Sequence, residues 1–135
     1  MSGWEFEYEQ MPDNCPPGDA SAVELLAYHF CRAVPPTAED FIPLMRRGPT
    51  RPFNSPEQEC QACGVSLFVD RDDAIALAGT SPLFRKRILT VLVITPDDGV
   101  VKHTPSVDRA SHHTFWPRAG SAFRNSVRRD EESAA

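Results

Sequence analysis

The chain has 135 residues, a formal net charge of −5 and 41% hydrophobic residues, which suits one domain with one hydrophobic core. The acidic balance argues against a general nucleic-acid binder, because such proteins normally present a basic surface, but Arg118, Arg124, Arg128 and Arg129 leave a local basic patch open. Because neither a membrane span nor a signal peptide is visible, we expect a cytoplasmic protein without membrane contact, whose four cysteines are reduced thiols.

The N-terminal part is predicted to be an extended segment followed by a short helix. Residues 4–8 alternate aromatic and acidic side chains, a period-2 pattern that indicates either an edge strand or a flexible terminus. Ser21 and Glu24 match a capping box, in which the two side chains satisfy free amides at a helix start. They predict a helix through Ala27, and residues 28–34 either extend it or form a strand.

A second helix start is predicted at residues 37–40. Phe41, Leu44 and Met45 follow at helical spacing, which favours one buried helix face. Residues 49–59 are predicted to be loop. The 13 prolines of the chain are about twice average usage, so a loop-rich domain with short elements is expected.

The second half of the chain is predicted to be strand-rich. The predicted strands are residues 65–69, 88–95, 100–104 and 112–116. Residues 88–95 are nearly all β-formers and apolar on both faces, which predicts a central strand. Asp70 caps a predicted helix over residues 71–77, and the turn at 96–99 predicts that 100–104 pairs with 88–95 as a hairpin.

This order of elements predicts an α+β fold, with a small, mainly antiparallel sheet and two or three short helices. We divide the chain into an extended N-terminal segment over 1–20, a single globular domain over 21–120, and a short helix or disordered tail over 121–135.

Two polar clusters on neighbouring predicted strands carry the first candidate chemistry. Lys102 and His103 lie on one strand, and His112, His113 and Thr114 lie on the other. Imidazoles with a hydroxyl and a cation are what metal-free phosphodiester cleavage needs: a base, an acid and a positive charge. We take His113, Thr114 and His103 as catalytic candidates and Lys102 as a ligand-binding one. Because His112 and His113 point to opposite faces of a strand, at most one of them joins a site.

A nucleotide-type pocket is the second hypothesis. His112, Thr114 and Trp116 share one face of their strand, which offers an imidazole, a hydroxyl and a flat aromatic ring to a heterocyclic base. We expect this face, or the opposite one with His113, to line a pocket with Arg32. In the alternative, Trp116 fills the core, His112 caps a loop, and Arg32 forms an internal salt bridge with an acid such as Asp40.

The cysteines allow a metal hypothesis, which we do not favour. Cys60 and Cys63 have the spacing of half a zinc knuckle. His29 and Cys31 are poorly spaced as further ligands, and Cys15 is left over. We therefore expect no metal site and buried thiols that pack as small hydrophobic groups.

Several segments resemble an uncharacterised family of small, mainly actinobacterial proteins. They are Tyr28-x-x-Cys31-Arg32 with Pro35-Pro36-Thr37 and Asp40-Phe41, Gly64-Val65-Ser66-Leu67-Phe68 with Ala74 after it, and Ser111-His112-His113-Thr114-Phe115-Trp116. The resemblance covers residues 28–117 and carries no function with it.

More distantly, an early Arg strand, a Gly-x-Ser-x-Phe strand and a late His/Thr strand resemble the layout of ADP-ribosyltransferase-like domains. The resemblance implies an NAD cleft in which Arg32 holds a phosphate or ribose and Ser66 stands near the nicotinamide ribose. The family's late catalytic Glu has no match here, since the first Glu after Trp116 is Glu131 in the tail. Nucleotide binding is therefore expected more firmly than transfer chemistry.

Two functions remain open from the sequence. The first is a nucleotide-directed domain whose ligand is of NAD or RNA type, with Arg32, Ser66, His112, Trp116 and Lys102 as ligand-binding residues. The second is a non-catalytic binding, regulatory or immunity-type module with a protein partner. The sequence does not decide whether the protein is an enzyme, and NAD is the only cofactor that the resemblance suggests.

Overall fold

A computed structural model of the protein describes residues 5–8, 11–43, 53, 55–106 and 109–130. Within them, the strands are β1 (Leu25–Cys31), β2 (Val65–Phe68), β3 (Ile88–Ile94), β4 (Gly99–His103), β5 (His112–Pro117) and β6 (Arg128–Arg129). The α-helices are α1 (Pro56–Ala62), α2 (Arg71–Thr80) and α3 (Pro82–Arg85), and two 3-10 helices span Ala38–Phe41 and Phe123–Ser126.

The six strands form one sheet in the order β4-β5-β2-β1-β3-β6, and every pair is antiparallel. This confirms the predicted α+β fold with an antiparallel sheet and short helices. It also confirms the central position of β3, which lies between β1 and β6. Leu92 and Ile94 on one face of β3 are fully buried, and Leu89 and Val91 on the other are nearly so.

The predicted first helix is wrong, because residues 25–31 form β1. This strand pairs with β3 over seven positions, from Leu25 opposite Ile94 to Cys31 opposite Ile88. Long-range pairing with a strongly β-forming strand therefore outweighs the local helix signal of the capping box. Ser21, the expected cap, forms a β-bridge with Val101 instead.

The predicted hairpin between β3 and β4 is also wrong, because β4 pairs with β5 at the far edge of the sheet. In a flat sheet, β3 and β4 would lie about 19 Å apart, given about 4.8 Å between neighbouring strands. The chain from Ile94 to Gly99 reaches at most about 17 Å, and a turn hydrogen bond from Asp98 N to Thr95 O shortens it further. The sheet must therefore curl to bring its two sides together.

Curling gives the sheet an inner and an outer face, each with its own core. The inner cluster draws on β1 to β5 and is closed by Phe41 and Phe123. The outer cluster packs Phe30, Phe68 and Leu89 against α2. Since Phe123 and Val127 are buried, the core extends beyond residue 120, where the predicted globular domain ended.

Two further local predictions differ from the structure. Helix α1 lies in the region predicted as loop, with Pro56 at its first position and the Ser55 side chain accepting from Gln58 N. At the second predicted helix, the described part is only the 3-10 turn Ala38–Phe41. Leu44 and Met45, like Trp4 of the predicted edge strand, lie outside the described residues.

The N-terminal segment is held against the domain by ion pairs and a β-bridge. Phe6 bridges Arg118, Glu5 pairs with Arg118 at 3.1 Å, and Glu7 pairs with Arg124 at 2.9 Å. Arg118 and Arg124, two of the four C-terminal arginines, are therefore paired with acidic side chains. These ion pairs reduce the positive charge of the basic patch that the sequence left open. Within the part of the chain that the structure describes, every helix is too short or too polar to span a bilayer.

The expectation of four reduced thiols is wrong for one pair. Cys15 and Cys60 form a disulfide with a Cα–Cα distance of 5.5 Å, which ties the N-terminal segment to α1. Cys31 and Cys63 are free and buried. Burial raises the pKa of both thiols to about 11, so neither is a nucleophile at neutral pH.

Candidate functional site

The sheet opens between β1 and β2. These strands pair at one position, Tyr28 opposite Phe68, whereas β1 and β3 pair along their full length. The His29 imidazole bridges the opening, with Nδ1 2.9 Å from the Ser66 carbonyl oxygen and Nε2 2.5 Å from the Asp40 carbonyl oxygen. A neutral imidazole donates from one nitrogen only, so both contacts are hydrogen bonds when the ring is protonated.

A cleft of about 540 Å³ lies at this opening, within the size range of small-ligand sites. Its polar lining residues are His29, Gln58, Gln61, Ser66, Arg87, His112 and Thr114. Its apolar lining residues are Phe30, Ile42, Phe53, Ala62, Gly64, Val65 and Phe84. The cleft therefore combines an aromatic surface with several hydrogen-bonding groups.

Strand register explains why three of the predicted ligand or catalytic residues meet here. Ser66 lies opposite Thr114, and Phe68 lies opposite His112. Directly opposed residues share a face and alternate residues repeat it, so Ser66, His112 and Thr114 fall on one face. Ser66 is exposed although its neighbours on β2 are buried, which leaves its hydroxyl at the cleft.

A short hydrogen-bond chain orients the imidazole of His112. Its Nδ1 lies 2.9 Å from both the carbonyl oxygen and the hydroxyl oxygen of Thr104, and the hydroxyls of Thr104 and Thr114 are 2.8 Å apart. Because a carbonyl oxygen only accepts, we assign the proton to Nδ1, which leaves Nε2 as an acceptor. Burial lowers the pKa of His112, partly opposed by its hydrogen bond to Thr104, so the ring is neutral at pH 7.

The charged side chains that line the cleft are positive. Arg87 is the one permanently charged side chain among the described lining residues, and no carboxylate occurs among them. Such a lining tolerates an anionic ligand, and a guanidinium is well suited to bind phosphate or carboxylate oxygens.

The lowered pKa of His112 predicts that acid weakens the fold. The unfolded state binds a proton at His112 below about pH 6.5, whereas the folded state resists it, so stability falls as pH decreases. From pH 7.5 to 5.5, the contribution of His112 is a loss of at most about 1.4 kcal/mol. Urea unfolding should show a smaller pH-dependent loss for His112→Gln than for wild type. Ser66→Ala, which removes no titrating group, should match wild type; an unchanged loss in His112→Gln would contradict the assignment.

The other two predicted catalytic residues lie away from the cleft. His103 and His113 stack with ring centroids 4.7 Å apart, on the opposite face of β5 from His112. Each imidazole contacts a nearby carbonyl oxygen, that of Ala110 for His103 and that of Ser111 for His113. They therefore share a surface with each other and not with Thr114.

The remaining predicted ligand residues have structural partners. Arg32 pairs with Glu39 at 2.5 Å on the surface, and Lys102 pairs with Asp19 at 3.0 Å. Trp116 is 1% exposed and its indole N–H donates to the Cys60 carbonyl oxygen at 3.1 Å. The burial of Trp116 agrees with the alternative prediction from the sequence, in which this side chain fills the core. Its hydrogen bond to Cys60 supports helix α1.

Sequence reasoning missed Arg87, Gln58 and Gln61 as cleft residues. Arg87 directly precedes β3, and the glutamines lie on α1, which was predicted as loop. A periodicity signal existed only for α1, in which Gln58 and Gln61 are spaced by three residues and so share a helix face.

Comparison with protein-family models, with curated proteins and with solved structures returned no match. Among the described residues, no group of three or more His, Cys, Asp or Glu side chains could hold a metal ion. Cys60, one of the two cysteines with zinc-knuckle spacing, forms the disulfide with Cys15, so its sulfur is not a thiolate ligand.

Proposed function

We propose that the cleft between β1, β2, α1 and α3 binds a mononucleotide-type ligand without transforming it. The observation that carries the proposal is the neutral, oriented imidazole of His112 in a lining that has aromatic rings and Arg87 and, among the described residues, no carboxylate.

The ligand's two halves would meet complementary parts of the cleft. A heterocyclic base would contact the aromatic surface of Phe30 and Phe84, which suits its flat apolar face. His112 Nε2 would accept a hydrogen bond from the polar edge of the base, and the Ser66 hydroxyl can donate or accept one. The phosphate would pair with Arg87.

Binding is favoured over catalysis by the placement of acidic and basic groups. Transfer of ADP-ribose would use a carboxylate, and the described lining of the cleft has none. His103 and His113 lie on the other face, and the second imidazole of the lining, His29, contacts the Ser66 and Asp40 carbonyl oxygens, so no acid–base pair faces a ligand among the described lining residues. NAD remains a candidate ligand through its nucleotide half, and the ion pairs of Arg118 and Arg124 favour a mononucleotide over RNA.

AMP is the probe that tests this proposal. In calorimetric titrations, Arg87→Gln should weaken AMP binding about 10- to 100-fold, the value of a hydrogen bond to a charged group, and adenosine binding should not change. Ser66→Ala and His112→Gln should weaken both ligands. His113→Gln is the matched control, since this neighbouring imidazole faces away from the cleft, and it should bind like wild type.

The opposite outcome is equally well defined. If AMP and NAD leave the His112 imidazole resonances unmoved, and Arg87→Gln binds AMP as wild type does, the cleft is not a nucleotide site. The protein-partner module then replaces it.

A further inference from the structure

A second, smaller cavity shares Phe30, Phe84 and Arg87 with the lining of the cleft. It has a volume of about 290 Å³ and forms where α2 and α3 meet the start of β3. Its apolar lining residues are Phe30, Ile75, Ala78, Phe84, Ile88 and Leu89. Three arginines, Arg85, Arg87 and Arg129, complete the lining. Arg129 lies opposite Thr90, so its side chain starts on the other face of the sheet from Leu89, and the cations of the rim are Arg85 and Arg87.

The cationic rim is partly fixed in place. Arg85 Nε donates to the Ala78 carbonyl oxygen at 3.4 Å, and Arg85 Nη2 donates to the Gly79 carbonyl oxygen at 3.3 Å. Both carbonyls belong to the last turn of α2, where a cation is favoured by the free carbonyl groups. The Arg85 charge is therefore positioned beside the cavity before any ligand arrives.

No acid balances these charges among the described residues. The lining contains no Asp or Glu, and no ion pair is present for Arg85 or Arg87 within the described part of the chain. Asp130, next to Arg129, pairs with Arg71 at 2.6 Å. The exposed Ile75, with 40% of its surface accessible, leaves the apolar floor open to solvent.

We propose that this cavity binds a small amphiphilic anion, a carboxylate with a short apolar tail. The tail would cover Ile75, Leu89 and the rings of Phe30 and Phe84, and this contact would remove apolar surface from water. The carboxylate would pair with Arg85 and Arg87, since a guanidinium fork matches its two oxygens. This site goes beyond the nucleotide proposal, although Arg87 borders both cavities.

Three probes separate the contributions of tail and charge. Octanoate carries both, 1-octanol carries only the tail, and acetate carries only the charge. In NMR titrations of the full chain, octanoate should shift the methyl resonances of Ile75, Ala78 and Leu89 and bind at least about 10-fold more tightly than either partial probe. Equal affinity for octanoate and 1-octanol, or no methyl shifts with octanoate, would overturn the proposal.

Matched variants test the residues themselves. Arg85→Gln should weaken octanoate at least about 10-fold, whereas Lys86→Gln, its exposed neighbour outside the lining, should not. Ile75→Glu places a negative charge at the open floor and should weaken octanoate more than the similarly shaped Ile75→Gln. If Arg85→Gln and Lys86→Gln bind octanoate equally, the assigned rim is wrong.

The same variants keep the two sites distinguishable. Arg85→Gln should leave AMP affinity unchanged, because Arg85 does not line the larger cleft, and Ser66→Ala should leave octanoate affinity unchanged. Arg87→Gln should weaken both probes. Loss of octanoate binding in Ser66→Ala would mean that the anion occupies the larger cleft, and would overturn a separate second site.

Discussion

Replacing Cys15 and Cys60 together with serine is expected to lower the free energy of unfolding by about 4 kcal/mol. The disulfide joins residues 45 positions apart. In the entropic model, closing a loop of that length removes conformational entropy from the unfolded chain and raises its free energy by about this much. Urea unfolding of the double variant against oxidised wild type measures the loss. Reduction of wild type should lower its stability by a similar amount.

The double variant supplies its own control, because reducing agent should leave its stability unchanged. Thiol counting gives a second check. Unfolded, unreduced wild type should react with iodoacetamide at two cysteines, Cys31 and Cys63, and at four after reduction. If all four cysteines react without reductant, the protein has no disulfide, and the expectation of four reduced thiols from the sequence is correct after all. Four reduced thiols would be consistent with the cytoplasm. Reaction at two would favour an oxidising compartment, where such bonds persist.

The strands whose signal is local could be predicted from sequence. Ile88–Ile94 is a continuous run of β-formers, and its burial on both faces followed from that composition. Helix α2 was predicted from Asp70, which does accept from Asp72 N at 2.9 Å. Strand β5 could be predicted because its β-branched and aromatic residues, Thr114, Phe115 and Trp116, follow one another directly in the sequence.

The missed elements depend on partners far along the chain. β1 has a helix-like start, and its strand state comes from seven pairings with β3. β4 follows β3 after a short turn, yet it joins β5 because the sheet curls, and curvature has no local sequence signal. The disulfide was missed because Cys15 and Cys60 become neighbours only when the N-terminal segment wraps onto α1.

The residues of the candidate site also fall into those with a local sequence signal and those whose position depends on distant partners. Ser66, His112 and Thr114 meet because they lie on strands whose period-2 pattern could be predicted. Arg32 was grouped with them through the resemblance, and His113 as the lining of the alternative face; the topology pairs Arg32 with Glu39 and places His113 on the face opposite His112. In the proposed site, Arg87 would take the cationic role expected for Arg32, and only the packing of α3 against β1 brings it there.

Gly99→Ala is expected to lower the free energy of unfolding by about 3 kcal/mol or more. Gly99 opens β4 with φ of 154°, a backbone conformation that other residues rarely adopt. An added Cβ would overlap the Trp116 carbonyl oxygen and lie 2.9 Å from both the Phe115 ring and Pro117 Cα. Backbone strain and overpacking each cost about 1–3 kcal/mol, and a rigid backbone oxygen relieves neither.

Gly79→Ala is the control for this substitution, because nothing lies within 4 Å of an added Cβ there and Gly79 is helical. It should raise stability by about 0.5–1 kcal/mol. A loss below about 0.5 kcal/mol in Gly99→Ala, the level of surface substitutions, would contradict the close contact of β4 with Trp116. Because Trp116 supports α1 through the Cys60 carbonyl, displacing it should also weaken AMP at the cleft while octanoate binding persists in the folded fraction.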